Sequence, residues 1–533
     1  MNKLFLSLII LWLVLLFQNQ TMGQQLITSD TTWSSDTIKI YNDIVVQYPA
    51  TLTIHPGVYV EFQGNFSIDV FGKLVAMGTP DDSIKFTIKD HSLHADTSTL
   101  AGGWGGIKLL NNAHDTTFFC FCDFKYGKAV DPGTYWEELN NDNHKGGAVF
   151  LDGYKGLILN NCSFINNHSN AKGGAIFVKN GSILRIEKCI FEKNSAYRWG
   201  GAVCIESCSL RPHISDNLWH SNIAFFIHNG FGHGAGAGLS IHCNSLVVNN
   251  RFYGNQSANG ALYESSTNSL ICNNISANNS GCGMVVGGST LSTSKLFNNT
   301  VVNNLSYNHA GTGIVTYAYN LELKNNIIFG NETLMPGYSP IQIYLSPPSN
   351  LIDFAYSCNP DRPDFYQGEG NIHEDPQFVN PTAGAGPDYD GLAADWSLLD
   401  SSPCVNAGTP DTTSLNLPAT DLIGNPRIFG IRVDMGAIEN QLVVGLPQNP
   451  LVNAHIEVSP NPFGQSFKIV YPYLQHIRSI SFYNQNGQLL EVMQSFNDGE
   501  LQIYDLANQC PGLYLMVTQF EDGTSETTKL VKY

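Results

Sequence analysis

Charge is scarce in this sequence. Asp, Glu, Lys and Arg make up only 14% of 533 residues, and 45 acidic against 27 basic residues leave a net charge of −18. So few charges argue against long salt-bridged helices. Their sign makes nucleic acid or an anionic membrane a poor partner by bulk field. Long apolar runs are missing after Phe17, so no membrane-spanning helix is expected in the mature chain. There is no Cys-x-x-Cys pair, no zinc-like histidine spacing, no Gly-x-Ser-x-Gly and no phosphate-binding Gly-Lys-Ser/Thr. Apolar residues at i, i+3, i+4 and i+7 are also missing from the repeated units, which excludes helical repeats. Glycine is plentiful, with 50 residues, and aromatics reach 11%. That composition suits a β protein with many bends.

The stretch from Lys145 to Asn331 repeats. Gly-Gly-Ala-Val at 146–149, Gly-Gly-Ala-Ile at 173–176 and Gly-Gly-Ala-Val at 200–203 step by 27 residues. A second motif, a large apolar residue followed three positions later by Asn, runs through Asn167, Asn194, Asn222, Asn255, Asn278, Asn304 and Asn331. Its spacings are 27, 28, 33, 23, 26 and 27, which marks a repeat architecture. Within each unit the pattern has period 2, as in Leu157-Ile-Leu159 and Cys162-Ser-Phe164. The large slot holds Phe124, Phe164, Phe191, Trp219, Phe252, Ile275, Val301 and Ile328. Two positions earlier stand Cys122, Cys162 and Cys189, then Asn217, Asn250, Asn273, Asn299 and Asn326. Five positions before the large slot stand Phe119, Leu159, Ile186, Ile214, Val247, Leu270, Leu296 and Leu323. Like residues recurring once per unit predict stacked residues on strands about 4.8 Å apart, with Asn and aromatic ladders. The units therefore predict an all-β chain, a parallel β-helix solenoid over 111–340.

On these residues the chain resembles the right-handed parallel β-helix, or pectin-lyase-like, fold. The Gly-Gly-Ala-Ile/Val and Phe-x-x-Asn motifs also resemble the repeats of chlamydial polymorphic outer-membrane proteins. The resemblance specifies the fold, which serves lyases, hydrolases and adhesins alike.

Residues 1–23 read as a secretory signal peptide: Lys3, a 14-residue apolar run from Leu4 to Phe17, and small residues before Gln24. Residues 24–110 read as an N-terminal capping β region with the first coils, because an open solenoid end is an unpaired edge. Residues 341–440 break the period and resemble the C-terminal segment of secreted β-helix proteins with varied surface anchors. They are expected to form the last coils and a cap, with Arg427, Asp434 and Glu439 as salt bridges of that cap. Residues 441–456, with Pro447 and Pro450, read as a linker. In 457–533, six short strands with hairpin turns at Asn486-Gly487 and Asp522-Gly523 predict a small antiparallel β-sandwich. Ser459-Pro-Asn-Pro-Phe463, Asn486-Gly-Gln488, Pro511-Gly-Leu-Tyr514 and Lys529-Leu-Val-Lys-Tyr533 resemble the C-terminal sorting domain of type IX secretion in Bacteroidota. That resemblance implies export across the outer membrane by the type IX machinery, to the cell surface or the extracellular space.

Two segments interrupt the repeat, at 128–144 and 223–235. With Trp136, Glu137, His144, His228 and His233 they offer aromatic, histidine and carboxylate groups suited to glycan contact, and Trp199, just before the third Gly-Gly-Ala, is a further binding candidate. A polysaccharide lyase needs carboxylates holding Ca2+ and a base, and a hydrolase needs carboxylates across one groove. The outward slot before the large residue holds no such cluster. Catalytic candidates are scattered: Glu206, Arg211, His213, Asp216, His220 and Glu264. No metal or cofactor is expected, Ca2+ aside should the protein be a lyase. Twelve cysteines in an exported chain raise the question of disulfides. Cys122, Cys162 and Cys189 share one inward slot and are expected to remain thiols, whereas Cys204 and Cys208 are a candidate pair. The sequence thus favours a surface adhesin or glycan-binding protein, with a polysaccharide lyase or glycoside hydrolase as the alternative.

Overall fold

The computed structural model describes residues 24–441 and 456–533, apart from 113, 132–140, 225, 229–230, 267, 289–292, 308–310, 319, 346–350, 362–367, 465, 471–476, 485–487, 494–501, 506–508 and 521–524. The signal sequence, most of the linker, Trp136 and Glu137 lie outside the described residues. The chain divides into two compact units, 1–442 and 443–533.

In the first unit each coil contributes one short strand to each of three sheets. The first coil supplies Gln25–Ile27, Thr31–Trp33 and Thr37–Ile40; later coils add strands in the same order. The result is three parallel sheets of 12, 12 and 11 strands, wound as a right-handed parallel β-helix. Alternation fixes which side faces in. In Thr51–Ile54, Leu52 and Ile54 are buried and both threonines are half-exposed. Shifting such a strand by one residue would turn its apolar set outward, which sets the register.

The third sheet carries the aromatic column. Ring centroids are 4.8 Å apart for Phe86–Phe124, 4.6 Å for Phe124–Phe164, 5.0 Å for Phe164–Phe191, 4.3 Å for Phe191–Trp219 and 5.6 Å for Trp219–Phe252, all nearly parallel. Two asparagine ladders flank it. In one, Asn167, Asn194, Asn222, Asn255, Asn279, Asn304 and Asn331 each donate from Nδ2 to Oδ1 of the next rung at 2.8–3.0 Å, and the last passes to Gln342. The other runs Asn217, Asn250, Asn274, Asn299 and Asn326, and ends with the Asn326 N–H donating to Ser357 Oγ. Each rung satisfies a backbone N–H that would otherwise be buried without a partner.

One coil departs from the expected register. Ser276, not Ile275, pairs with Phe252 and Val301, and Ile271, not Leu270, pairs with Val247 and Leu296. Correspondingly Asn274 and Asn279, not Asn273 and Asn278, are the rungs. The cause is a doublet. At 273–274 and 278–279 two asparagines stand together; the first takes the left-handed bend, with φ 55° and 54°, and only the second points inward. A period counted on a doublet is ambiguous by one residue.

The Gly-Gly pairs are explained at two levels. Gly146, Gly173 and Gly200 have φ of 63–67°, where a side chain is strained. A Cβ on Gly147, Gly174 or Gly201 would come within 2.1–2.3 Å of a carbonyl oxygen of the following coil.

Beyond Asn331 the strands Ile341–Leu345 and Leu351–Ala355 close the first two sheets. The segment 375–440 does not stack on this end. It folds back along the outside of the third sheet, where Trp396, Leu398, Cys404, Leu422, Met435 and Ile438 pack on Tyr253, Ile275, Ala277, Val302 and Ile327. The outward asparagines of the bends hold it: Asn273 donates to the Thr420 carbonyl at 3.0 Å, Asn278 to Gly384 at 2.9 Å and Asn298 to Asp434 at 3.0 Å. Asn273, expected in the ladder, is thus a peg for this segment. Arg427 and Glu439 form a fully buried ion pair within it, and Asp434 accepts from the Asn406 and Asn440 N–H groups.

The second unit has a three-stranded antiparallel sheet, Glu457–Ser459, Ser466–Val470 and Gln502–Asp505, and a four-stranded one, Ile477–Asn484, Leu489–Met493, Gly512–Phe520 and Ser525–Lys532. Phe463, Phe467, Ile469, Ile480, Phe482, Met516 and Leu530 are its core.

Candidate functional site

The bends that carry the chain from the first sheet to the second line a cleft of about 800 Å³, against about 280 and 250 Å³ for two other hollows. Successive coils contribute Ser209, Leu210 and Arg211, then His242 and Asn244, then Ser266, Asn268, Ser269 and Leu270, then Thr293 and Lys295. Leu415 and Asn416 of the folded-back segment complete it. No carboxylate lines it among the described residues.

Arg211 spans three coils. Its Nε donates to the Ser245 carbonyl at 3.0 Å and its Nη2 to the Asn268 carbonyl at 3.3 Å. These bonds hold the guanidinium in place without neutralising it, since both acceptors are uncharged. Lys295 stands 3.4 Å from Glu322 and its side chain is 41% exposed, so that pair is screened by solvent.

Beneath the cleft Glu264 points into the coil interior, between Ile241 and Val286 in the neighbouring coils. One carboxyl oxygen accepts from the Ser266 N–H and from the hydroxyls of Ser266 and Ser269. Its other oxygen has no partner among the described residues. Burial pushes its pKa up to about 7, against the pull of those hydrogen bonds.

Beside the cleft, His242 shares hydrogen bonds with Ser265 Oγ at 2.6 Å and Ser240 Oγ at 3.1 Å. Burial pulls its pKa down to about 4, helped by the Lys172 charge and opposed by Glu206. Its ring leans on Trp199, centroids 4.9 Å apart. Lys172 Nζ lies 4.4 Å from the Trp199 ring centre, the Arg198 guanidinium carbon 4.8 Å from it, and Lys172 also pairs with Glu206.

The six catalytic candidates do not converge. Arg211 lines the cleft and Glu264 lies under it. Glu206 is engaged by Lys172. His213, on the second sheet, is 3.6 Å from Glu187. Asp216 occupies a left-handed bend, φ 60°, and accepts from Asn249 at 3.1 Å. His220, on the third sheet, lies 3.3 Å from the Ser221 hydroxyl. Of the binding candidates, His144 is buried at the end of a short turn, Asp142–His144. His228 and His233 belong to a two-stranded antiparallel hairpin, Phe226–His228 with Phe231–His233. His242, Asn244, Asn268 and Lys295 were missed from sequence. Aligning the bends would have placed His242, Asn244 and Asn268 beside Arg211, whereas Lys295 stands on the strand Thr293–Phe297 in the outward column of His213, Leu246 and Leu270.

The cysteines are all thiols. Cys122, Cys162 and Cys189 form the buried inward column. Cys204 packs with Phe150 and Phe177, away from Cys208. Cys204 and Cys208, the expected candidate pair, are both free thiols, and Cys208 lines the cleft together with Cys243. No group of three or more metal-ligating side chains is gathered among the described residues, and no described helix is long and apolar enough to cross a membrane.

Comparison with known proteins gives two family matches. Residues 457–533 match the secretion system C-terminal sorting domain. Residues 161–179 and 188–206 match the Chlamydia polymorphic membrane protein repeat, and so include the Gly-Gly-Ala motifs at 173 and 200. No curated protein matches the chain. Among solved structures it is similar to tailspike protein 3 of bacteriophage CBA120, with a TM-score of 0.36 and 10% identity, covering 65% of this chain and 56% of that one. The chain is a parallel β-helix protein with polymorphic-membrane-protein-like repeats, exported by type IX secretion to the cell surface or extracellular space through the sorting domain 457–533.

Proposed function

We propose that the β-helix binds an acidic glycan in the Arg211–Lys295 cleft, as an adhesin or glycan-holding surface protein. One observation carries this reading: in a chain of net charge −18, the described residues lining the cleft include two cations, Arg211 and the solvent-exposed Lys295 beside Glu322, and no carboxylate. Amide and hydroxyl groups of Asn244, Asn268, Ser209 and Thr293 suit sugar hydroxyls, and Leu210 and Leu270 give an apolar floor. In this reading residues 1–23 are removed on export and 457–533 delivers the binding unit 24–440. The lyase or hydrolase alternative requires the scattered carboxylates and histidines to act together from separate sheets, which makes it the weaker reading.

The test is retention of the purified protein on polyuronate, sulfated and neutral polysaccharides, with unsaturated uronate and new reducing ends followed in parallel. Retention on the acidic polymers, lost in high salt, is expected. Arg211→Ala should weaken it about tenfold, the scale of one charge-assisted hydrogen bond. Equal retention on neutral polymers would defeat the charge argument. New chain ends would make the protein an enzyme.

A further inference from the structure

We propose that Ser195, His168 and Asn170 form an acyl-transfer centre, separate from the cleft, in which Ser195 takes a short acyl group from an O-acyl ester and passes it to water. The three side chains stand in line. Ser195 Oγ lies 2.8 Å from His168 Nδ1, and His168 Nε2 lies 2.8 Å from Asn170 Oδ1. Asn170 Nδ2 donates to the Thr97 carbonyl at 3.4 Å, which fixes the way its amide faces. An amide oxygen only accepts, so Nε2 carries the ring proton, and Nδ1 is left to accept from the Ser195 hydroxyl. A nucleophile, a base and a group that orients the base, each within hydrogen-bond reach, are what nucleophilic catalysis requires.

The fold holds this arrangement rigidly. His168–Ser169 and Ser195–Ala196 are neighbouring strands of a small five-stranded parallel sheet, and His168 pairs directly with Ser195. The two residues are 27 apart, so only the coil pitch joins them. The loop that carries Thr97 is tied down beside them. Lys128 Nζ donates to the carbonyls of Leu93, Asp96 and Ala101 at 3.3, 2.7 and 2.8 Å, and Thr97 Oγ1 shares a 2.8 Å hydrogen bond with the Tyr197 hydroxyl. His168 is buried, which pulls its pKa down to about 4 against its bond to Asn170 and keeps the ring neutral. Ser195 stays partly exposed. In the next coil Ile223 pairs with it on the same face and is 38% exposed, an apolar rest for an acetyl-sized group.

Ser195 Oγ attacks the ester carbonyl carbon while its proton passes to His168 Nδ1. The bond from that carbon to the alcohol oxygen then breaks, and the departing alcohol takes the proton from Nδ1. The acyl group is left as an ester on Oγ. Water attacks this second ester, again giving its proton to Nδ1, and Oγ recovers that proton as the acid leaves. Ester and water become acid and alcohol, and nothing is oxidised or reduced. Asn170 acts through the ring alone, as a positioning residue.

The full chain, folded and urea-unfolded, is treated with a fluorophosphonate, which phosphonylates an activated serine and releases fluoride, and the labelled peptide is found by mass spectrometry. Ser195 should react at least about tenfold faster in the folded chain. The folded chain should also hydrolyse p-nitrophenyl acetate about a hundredfold faster than Ser195→Ala, the scale of one general-base contribution. Asn170→Leu should slow labelling about tenfold, the loss of about one hydrogen bond, and Asn170→Asp, which keeps an acceptor for Nε2–H, should restore it. A merely structural role would not put that pattern on the reactivity of Ser195. Labelling of Ser195 no faster than in the unfolded chain, or ester hydrolysis unchanged in Ser195→Ala, would overturn the proposal.

Discussion

Inside the coils one residue type holds one column for several turns; at the cleft, the bends from the first sheet to the second bring a different residue from each coil. Phe86, Phe124, Phe164, Phe191, Trp219 and Phe252 stack without a break. One bend away, the cleft receives Arg211 from one coil, Asn244 from the next and Asn268 from a third. The difference is physical. An inward residue meets its own counterpart above and below, so like residues are selected together. An outward residue meets solvent, the folded-back segment or a ligand, and nothing ties it to the neighbouring coil. Regularity therefore reports stability, and the irregular bends are where a specific site can form.

The sharpest way to break this comparison is to remove one inner rung. Phe191→Ala deletes a fully buried ring stacked on both sides, at 5.0 and 4.3 Å. It should cost about 3–5 kcal/mol in denaturant unfolding. An unchanged midpoint would mean the column does not carry the fold. Asn222→Ala comes next, at about 3 kcal/mol. It removes the acceptor for both the Asn194 N–H and its Nδ2, each at 3.0 Å, leaving buried donors without partners. Replacing Asn273, the outward member of its doublet, should cost the coil ladder nothing and loosen only the folded-back segment. Hydrogen exchange localised to 415–440 would read this out.

Glu264 is the exception inside. It interrupts a column of aliphatic residues, Val178, Ile205 and Ile241 on one side and Val286 on the other. Its folded-state pKa is raised from 4.5 to about 7, so the native state binds its proton more tightly than the unfolded chain. That contribution is fully present below about pH 4.5, falls as pH rises, and is gone above about pH 7. Glu264→Gln should thus be more stable than the wild type at pH 8, on the order of 2 kcal/mol, with the advantage vanishing near pH 4.5. Glu439 and Asp434, raised to about 7 and 6, and His168, lowered to about 4, titrate in both proteins. The difference curve isolates Glu264. A pH-independent difference would remove the carboxyl as its cause.

How much was legible follows from the same division. The parallel solenoid, the aromatic column, most rungs of both ladders and the sorting module could be read from sequence, because stacking forces repetition. The error at 270–279 arose where Asn273-Asn274 and Asn278-Asn279 offered two registers. It was resolvable, because the doublets Asn249-Asn250 and Asn298-Asn299 follow the same rule: left-handed bend first, inward rung second. Arg211 was named as a candidate, but Lys295 and Asn268 were not. They are 84 and 57 residues away from it, and only the coil pitch brings them to one cleft. The path of 375–440 was not legible either. It depends on outward pegs and an apolar flank that no single repeat displays.

The smallest expected effect tests the outer surface itself. His213, Asp216 and His220 were singled out as reactive types, yet none of them is among the residues that line the cleft: His213 is on the second sheet, His220 on the third and Asp216 in the bend between them. Asp216 and Asn249 are a solvent-facing pair, and His213 and Glu187 are both partly exposed. Such contacts contribute little, because water competes for each group and side-chain entropy opposes holding it. The combined variant His213→Ala/Asp216→Asn/His220→Ala should therefore shift unfolding by less than about 1 kcal/mol. Asn suits the left-handed bend at 216 at least as well as Asp. Retention on acidic polysaccharide should stay within about twofold of wild type, while Arg211→Ala weakens it about tenfold. Were the triple variant to lose retention and Arg211→Ala to keep it, the binding face would be the outer surface of the second and third sheets, and the cleft would be a by-product of the folded-back segment.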